Sequence, residues 1–217
     1  MFRGAFSAPF ANPFGPISWY LSGDIPAANC IAAYQPKGAA SLALSYINLA
    51  NPGTYNAAPG TAPTWDAVNG WMFVATSSQY LDTGIINQGG WSAIVRYSNV
   101  SPIAGVLIGS YTAVNVRFAI VPNNTDDKVY YQNGSFLGVA PGLSGGVLAI
   151  AGQQGYRNGI ADGGAIGNWS GTNVYSIHIG NSLNALYISA YIQSLSIYNI
   201  TLAASQVLAV TLAMQSL

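Results

Sequence analysis

The sequence has very few ionisable side chains. Only 12 of its 217 residues are charged, none is a glutamate, and there is one histidine (His178) and one cysteine (Cys30). A typical soluble domain is about a quarter charged, whereas this chain is 6% charged. Because acid–base, nucleophilic and metal chemistry needs several such groups close together, the composition predicts that the protein is not an enzyme.

Basic character is missing as well. Six Lys and Arg balance six Asp, so the formal net charge is zero. Binding to nucleic-acid phosphates needs a basic surface, and no nucleic-acid partner is predicted. A single cysteine cannot form an internal disulfide, and Cys30 is predicted to be a small buried apolar residue.

Targeting and membrane segments are not evident either. Pro9, Pro13 and Pro16 interrupt the start of the chain, where a signal peptide would need an unbroken apolar helix. Residues 163–217 carry no charge, but polar side chains keep every apolar run below the roughly 18 residues of a spanning helix. The sequence predicts synthesis in the cytoplasm and no membrane span.

The first sixteen residues form a distinct segment rich in phenylalanine and proline. Four phenylalanines recur every four residues: Phe2, Phe6, Phe10 and Phe14. Two prolines inside the run forbid a regular helix, so residues 1–16 are predicted to be an extended arm. Exposed rings are unfavourable in water. We expect them to anchor the arm either on its own domain or on a neighbouring subunit.

From residue 17 onward, short runs of Val, Ile, Tyr and Trp alternate with Gly, Asn and Pro, which is typical of β structure. Strands are predicted at 71–73, 79–85, 91–98, 105–111, 115–121, 128–132, 136–139, 146–153, 155–157, 174–179 and 190–198. The dipeptides Asn133-Gly134 and Asn158-Gly159 predict hairpin turns. Residues 35–63 are predicted to be a long structured loop, and one helix is predicted at 202–210 with Thr201 as its N-cap.

Several of these motifs resemble laminin-G-like domains of the concanavalin A-like lectin/glucanase superfamily. The chain ends with Ile-Gly-Asn at 179–181, a tyrosine-containing strand at 191–199 and a short helix. The Tyr-Arg-Asn-Gly turn at 156–159 and the segments 69–73 and 79–82 are also similar to motifs of that family. The resemblance covers about 31–214 and implies a single jelly-roll domain over 17–217. The strand pattern likewise favours two stacked antiparallel sheets with one short C-terminal helix.

Glycan hydrolysis is not predicted, although the superfamily contains hydrolases. Those enzymes use glutamates in an E-x-D-x-x-E strand, and this chain has no glutamate. Hydrolysis needs two carboxyl groups facing the scissile bond, and side chains of the neighbours Asp126 and Asp127 would point to opposite faces of a strand. His178 has no nucleophile or orienting group at a recognisable spacing, and is expected to be a hydrogen-bonded or surface residue.

The resemblance also raises the question of calcium, which such domains often bind. Asp82, Asp162 and Asn158 are the candidate ligands. The sequence has no EF-hand loop, and Asx side chains commonly stabilise turns by themselves. We therefore predict no cofactor.

Exposed aromatic side chains are the remaining functional candidates, because sugars stack on them. Trp169 lies in a glycine-rich loop, and Tyr156, Asn158 and Asp162 belong to the preceding hairpin. If the two loops meet, these four residues form a saccharide-binding platform. Tryptophan side chains are usually buried, so the alternative is that Trp169 packs in the core.

Two functional hypotheses follow from the sequence. The first is a non-enzymatic structural or display protein on a larger assembly, above all a virion component that decorates a capsid or belongs to a tail. Zero net charge suits close packing, and the arm would contact other subunits. The alternative is a carbohydrate-binding or adhesion module with a glycan as its partner. The predicted location is a virion or a cell-surface assembly.

Overall fold

The alternating apolar and polar runs form two antiparallel β-sheets in the computed structural model of the chain. The structure describes residues 18–101, 104–182 and 185–217. The predicted arm, with Phe2, Phe6, Phe10 and Phe14, lies outside these residues.

Fifteen strands and two α-helices make up the described part of the chain. The strands are β1 (Cys30–Tyr34), β2 (Ala58–Thr61), β3 (Thr64–Asp66), β4 (Gly70–Phe73), β5 (Tyr80–Asp82), β6 (Ser92–Ser98), β7 (Ile108–Ala113), β8 (Val116–Val121), β9 (Val129–Asn133), β10 (Ser135–Val139), β11 (Gly146–Ala151), β12 (Gln154–Arg157), β13 (Ile160–Ala165), β14 (His178–Ile179) and β15 (Ala190–Tyr198). The helices are α1 (Leu42–Ser45) and α2 (Ala204–Gln215), and short 3-10 turns lie at Trp19–Leu21, Ala27–Asn29 and Ala75–Ser77.

The two sheets have a jelly-roll arrangement, as predicted. The first sheet has the order β13-β12-β11-β6-β15-β4-β3, and β1 pairs with a second stretch of β15. The second sheet has the order β10-β9-β8-β7-β14-β5-β2. No described helix is both long and apolar enough to cross a membrane.

The main hydrophobic core lies between the sheets. Ala93, Val95 and Tyr97 point inward from β6, which confirms the alternation in that segment, and Phe118 and Ile120 point inward from β8. All five are at most 1% exposed. Each large apolar side chain buried in this way contributes about 1.5–3 kcal/mol to folding, so the interior of the sandwich stabilises the pairing of its sheets.

The outer faces of the two sheets differ. On the first sheet, Ile94 and Tyr156 pack in a second core with Val207 and Val210 of α2. Arg96 donates a hydrogen bond to the carbonyl of Met214 at the end of that helix. Such a contact satisfies a carbonyl that an α-helix leaves without a partner at its C-terminus. In the described ranges no helix covers the outer face of the second sheet, which is left open.

The C-terminal helix begins later than predicted and is longer. Thr201 is not its N-cap, because the Thr201 hydroxyl donates to the carbonyl of Gly90 at 2.6 Å. Ala203 precedes the first turn, and its backbone N–H donates to the Gln206 side chain at 3.0 Å. A long-range contact to the turn before β6 therefore replaces the local cap that the sequence favours.

The segment 35–63 is not one continuous loop, since it contains α1 and β2. All four residues of β2 are exposed at the edge of the second sheet, so the strand has no buried face to produce an alternating pattern. Gly60 lies against the Tyr80 ring, where an added Cβ would come within 2.0 Å of a ring carbon. Strands β1, β3 and β13 were not predicted as strands either.

The two Asn-Gly dipeptides form turns of different kinds. Asn158 and Gly159 have φ of +50° and +82°, the two-residue hairpin that was predicted. Asn133 instead ends β9 as a buried residue, and its amide donates to the Gly152 carbonyl at 2.6 Å. Only Gly134 has a positive φ in that turn, so the two-residue form predicted there was wrong.

Candidate functional site

Trp169 lies half-buried in the loop that follows β13. Its indole N–H donates to the carbonyl of Gly171 at 2.9 Å, and a Cβ added to Gly89 would come within 2.6 Å of the indole. The ring lines a shallow hollow of about 460 Å³ together with Gln88 and Thr172. Trp169 thus packs against a glycine on one side and borders open space on the other.

Asp162 is held by partners of its own. Its Oδ2 atom accepts from Arg157 Nε at 3.0 Å and from the Tyr131 hydroxyl at 2.8 Å. Burial, and then the neighbouring carboxylate, raise the pKa of Tyr131. Arg157 and Asp162 are only 19% and 15% exposed. This carboxylate therefore joins β9 of one sheet to β13 of the other.

The other two residues of the predicted platform lie at the opposite end of β13. Tyr156 is 6% exposed beneath α2, and the Asn158 side chain accepts from the Val147 N–H at 2.9 Å. Six residues of β13 separate this turn from the Trp169 loop, a distance of about 20 Å. The structure does not bring the four predicted residues together, because the hairpin extends away from the loop instead of folding back to it.

His178 is a buried hydrogen-bonded residue, in agreement with the prediction. Its Nδ1 atom lies 2.9 Å from Asn181 Oδ1, and its ring stacks on Tyr80 with centroids 4.8 Å apart. Asp82 lies 4.0 Å from Nε2, a neighbour that the register of β5 and β14 supplies. In the part of the chain that the structure describes, no hydroxyl or thiol is hydrogen-bonded to the imidazole.

The three candidate calcium ligands each have partners of their own. Asp82 accepts from the Gly84 N–H at 2.8 Å, while Asp162 and Asn158 make the contacts given above. The described ranges contain no group of three or more His, Cys, Asp or Glu side chains that could hold a metal ion. Each of these Asx side chains stabilises its own turn or ion pair.

The open face of the second sheet carries a groove that the sequence analysis did not single out. Two adjoining hollows of about 280 and 290 Å³ share Val106, Arg117, Gln132 and Leu186 in their linings. The groove runs across β10, β9, β8 and β7, on the face directed away from the core. Volumes of this size lie at the lower end of the range for ligand sites.

Small residues form the floor of the groove. Ala119 of β8 pairs with Gly109 of β7, and Val106 packs beside them. An added Cβ at Gly109 would come within 2.8 Å of the Val106 side chain. Small side chains on the central strands, flanked by large ones on the outer strands, make this part of the sheet concave.

Two aromatic rings, tilted by 31° against each other, form one wall. The centroids of Tyr130 and Phe136 are 5.6 Å apart, and the Tyr130 hydroxyl donates to Asp126 Oδ2 at 2.9 Å. Lys128 bonds the same carboxylate oxygen, also at 2.9 Å. The hydrogen bond from Lys128, and to a smaller extent that from Tyr130, lowers the pKa of Asp126. Phe136 is 51% exposed, so about half of its surface is accessible to solvent.

Arg117 lies beside this wall. The carbon of its guanidinium is 5.0 Å from the centre of the Phe136 ring, and its Nε donates to the Gly134 carbonyl at 3.3 Å. Tyr111 pairs with Arg117 across β7 and β8, and Leu186 overhangs the same end of the groove. Their side chains are 37% and 58% exposed. The groove therefore has aromatic or apolar surfaces on both sides and a cation between them.

The sequence does carry a signal for this groove, which appears when alternate residues of each strand are assigned to the core face and to the solvent face. The residues of β8, β9 and β10 that face the core are apolar or aromatic, and sequence analysis follows them readily. The opposite parity carries Arg117, Tyr130, Gln132 and Phe136, of which Gln132 pairs with Phe136. Two aromatic residues and an arginine on the solvent parity of neighbouring strands are unusual, because that face is normally polar.

Comparison with solved structures places the fold among two-sheet sandwiches. Domain 4 of AbnA, a GH43 extracellular arabinanase from Geobacillus stearothermophilus solved in complex with arabinotriose, has a TM-score of 0.56 at 15% identity; the match covers 84% of this chain and 98% of that one. Trypanosoma rangeli sialidase, in complex with a difluoro-KDN, has a TM-score of 0.58 at 13% identity over 88% of this chain. The receptor binding domain of botulinum neurotoxin D has a TM-score of 0.57 at 11% identity over 85% of this chain.

These similarities establish the fold class, an all-β jelly-roll sandwich, and at such identities nothing finer. The chain spans 33% of the sialidase and 52% of the toxin domain. No family model matches the sequence, and no curated protein matches it. Membership of the laminin-G-like family therefore stays a prediction.

Proposed function

We propose that the protein is a saccharide-binding module and that the groove on the outer face of the second sheet is its binding site. The observation that carries the proposal is the contact of the Tyr130 and Phe136 rings beside Arg117 on an open sheet face. Its role is to bind and not to catalyse, as the shortage of ionisable groups indicates.

The chemistry of the groove suits a sugar ring. Exposed aromatic side chains such as Phe136 pack against the C–H faces of saccharides, and a few polar groups then fix their orientation. Gln132 and Asn124 line the groove and provide amide donors and acceptors for hydroxyl groups. The small floor residue Ala119 leaves room for a ring to approach the sheet.

The fold also supports the saccharide-binding proposal in a general way. One of the similar structures is an isolated domain of an arabinanase in complex with arabinotriose, and the match covers 98% of it. Another is a receptor binding domain. A fold hosts many functions, so the residues of the groove, and not this likeness, form the basis of the proposal.

Trp169 provides a second candidate site for a saccharide. It borders a hollow of about 460 Å³ and retains a partly exposed ring. Its indole N–H already donates to the Gly171 carbonyl. The Trp169 ring could therefore stack on a sugar but could not donate a hydrogen bond to it. The groove has both kinds of contact and is therefore preferred.

A display role on a larger assembly, including a virion, remains a compatible proposal. It is supported by the zero net charge, because proteins without charge repulsion associate readily. Light scattering after size exclusion, on the full chain and on a variant lacking residues 1–16, tests it. Assembly that depends on those residues supports the role, and two monomers that do not bind their source particles would contradict it.

A glycan array followed by calorimetric titration of the best binder tests the proposed site. Tyr111→Ala and Phe136→Ala should each weaken binding about tenfold, the equivalent of one lost aromatic contact. Tyr175→Ala removes a tyrosine that is 46% exposed outside the groove and should change nothing. Binding that is lost in Trp169→Ala but kept in the groove variants would move the site to the Trp169 loop, and an array with no binders would remove the function altogether.

A further inference from the structure

Arg117 differs in its surroundings from Arg157, Lys128 and Arg96. Arg157 pairs with Asp162 and Lys128 pairs with Asp126, while Arg96 bonds the end of α2. All six aspartates of the chain fall within the described ranges, and none of them lies within 4.0 Å of the Arg117 guanidinium. This cation therefore has no carboxylate of the protein to neutralise it.

The guanidinium is nevertheless held in a defined place. Its Nε donates to the Gly134 carbonyl at 3.3 Å, the Arg117 carbonyl accepts from the Gly134 N–H at 2.8 Å, and Phe136 lies 5.0 Å beneath its carbon. These contacts use one of its five N–H groups and one face of its plane. The four terminal N–H groups have no hydrogen-bond acceptor among the described residues, and Arg117 lines both hollows of the groove.

A guanidinium that is stacked and fixed in this way is preorganised for a planar anion. Its two terminal nitrogens match the two oxygens of a carboxylate, and such paired charge-assisted hydrogen bonds are stronger and more directional than neutral ones. Partial burial beside aromatic rings reduces screening of the charge by solvent. Asp126, which is bonded to the Tyr130 ring of the wall, already accepts from Lys128 and Tyr130.

We propose that the groove selects an acidic saccharide, one that carries a carboxylate, and that Arg117 binds this group while the sugar ring lies against Phe136. The inference rests on the proposed saccharide-binding function and adds the class of sugar to it. In this proposal Arg117 discriminates between acidic and neutral sugars. Phe136 contributes affinity for sugars of both kinds.

Matched pairs of sugars test the selection by calorimetric titration at low salt. One pair is sialyllactose and lactose, and another is tri-galacturonate and its carboxyl-reduced form; a sulfated disaccharide and its desulfated form test a tetrahedral anion instead. The acidic member of at least one carboxylate pair should bind ten or more times more tightly than its neutral partner. Raising NaCl from 20 to 500 mM should reduce that preference.

Two variants of Arg117 separate this role from a structural one. Arg117→Gln should abolish the preference by weakening the acidic sugar about tenfold, with less than a twofold change for the neutral one. Arg117→Lys keeps the charge but loses the planar pair of donors, and should keep part of the preference. Thermal unfolding of each variant checks that the sheet is intact.

The outcomes distinguish the two proposals. Neutral sugars that bind as tightly as acidic ones, with loss of binding in Phe136→Ala, would overturn the acidic selection and leave the saccharide function in place. A preference only for the sulfated sugar would also overturn it. No binding by any member of the panel, acidic or neutral, would count against both.

Discussion

The Tyr131 hydroxyl donates a 2.8 Å hydrogen bond to Asp162, and this contact joins the two sheets at one side of the sandwich. Tyr131 belongs to β9 of the second sheet and Asp162 to β13 of the first. The same carboxylate oxygen accepts from Arg157 at 3.0 Å. A buried tyrosine, a carboxylate and a guanidinium thus form one hydrogen-bonded unit between the two sheets.

Removal of the Asp162 carboxylate should therefore cost stability and not ligand binding. Asp162→Ala leaves Arg157 and the Tyr131 hydroxyl without their shared acceptor in a mostly buried place. We expect the free energy of unfolding to fall by about 2 kcal/mol, below the 3–5 kcal/mol of a fully buried pair. Urea unfolding measures the change. Asp162→Asn, which keeps an acceptor oxygen, should cost less; an Ala variant as stable as the parent would show that the contact is dispensable.

The thiol of Cys30 should be unreactive in the folded protein. Burial raises its pKa to about 12, whereas an exposed cysteine has a pKa of about 8.5. At pH 8 the thiolate fraction is then about one in ten thousand when folded and about a quarter when unfolded. A thiol-specific reagent such as a disulfide dye should label the protein only after denaturant is added. Complete labelling of the native chain within minutes would contradict the buried position in β1.

The Gly134 turn should not tolerate a side chain. Gly134 has φ of +88°, and an added Cβ would lie 2.4 Å from the carbonyl oxygen of Asn168. Gly134→Ala should therefore lower the free energy of unfolding by 2 kcal/mol or more, from strain and contact together. Gly164→Ala is the matched control, because no atom lies within 4 Å of its added Cβ, and should stay within about 0.5 kcal/mol of the parent.

The position of Tyr130 should depend on pH only in strongly acidic solution. Hydrogen bonds, first from Lys128 and then from Tyr130, lower the pKa of Asp126 in the folded state. A carboxyl group with a lowered pKa stabilises the fold above its unfolded value of about 3.9. That contribution is lost as the pH falls through the folded pKa. The aromatic NMR shifts of Tyr130 should stay constant from pH 7 to about 4.5 and change below about 3.9.

Two variants check the assignment of that titration. Asp126→Ala should give the shifted Tyr130 resonances already at pH 7, since the acceptor is gone. Asp127→Asn removes the same charge from the neighbouring residue and should leave them unchanged. A transition with its midpoint above pH 4.5 in the parent would show that another group controls the ring.

Strand β6 is predicted correctly because one parity of its residues is consistently apolar or aromatic. In β6, Ala93, Val95 and Tyr97 alternate with residues directed away from the core, and the period of two is visible directly. Strand β2 has four exposed residues and was missed, because its place at the edge depends on a glycine that fits against Tyr80. Thr201 failed as a cap for a similar reason, since its hydroxyl has a partner 111 residues away.

The groove was less accessible to sequence analysis than the fold. Phe136, Tyr130 and Arg117 belong to three different strands, and only the register of β8, β9 and β10 brings them together. The loop of Trp169 is rich in glycine, which suggested a free side chain. Gly167 and Gly171 of that loop instead pack closely, since an added Cβ at either would lie 2.8 Å from the side chain of Ser135 or Val116. Local composition predicts where a side chain is able to stay exposed to solvent. It does not predict which side chains from other strands will be its neighbours.

The most direct test of the central claim is a map of the backbone amides that respond to a bound sugar. Titration of the labelled protein with the tightest-binding sugar of the panel, followed by NMR, reports every strand at once. We predict shifts in β8, β9 and β10 around Arg117, Gln132 and Phe136, and none in the Trp169 loop. Shifts confined to residues 166–173, or to the α2 face of the first sheet, would contradict a binding site in the groove.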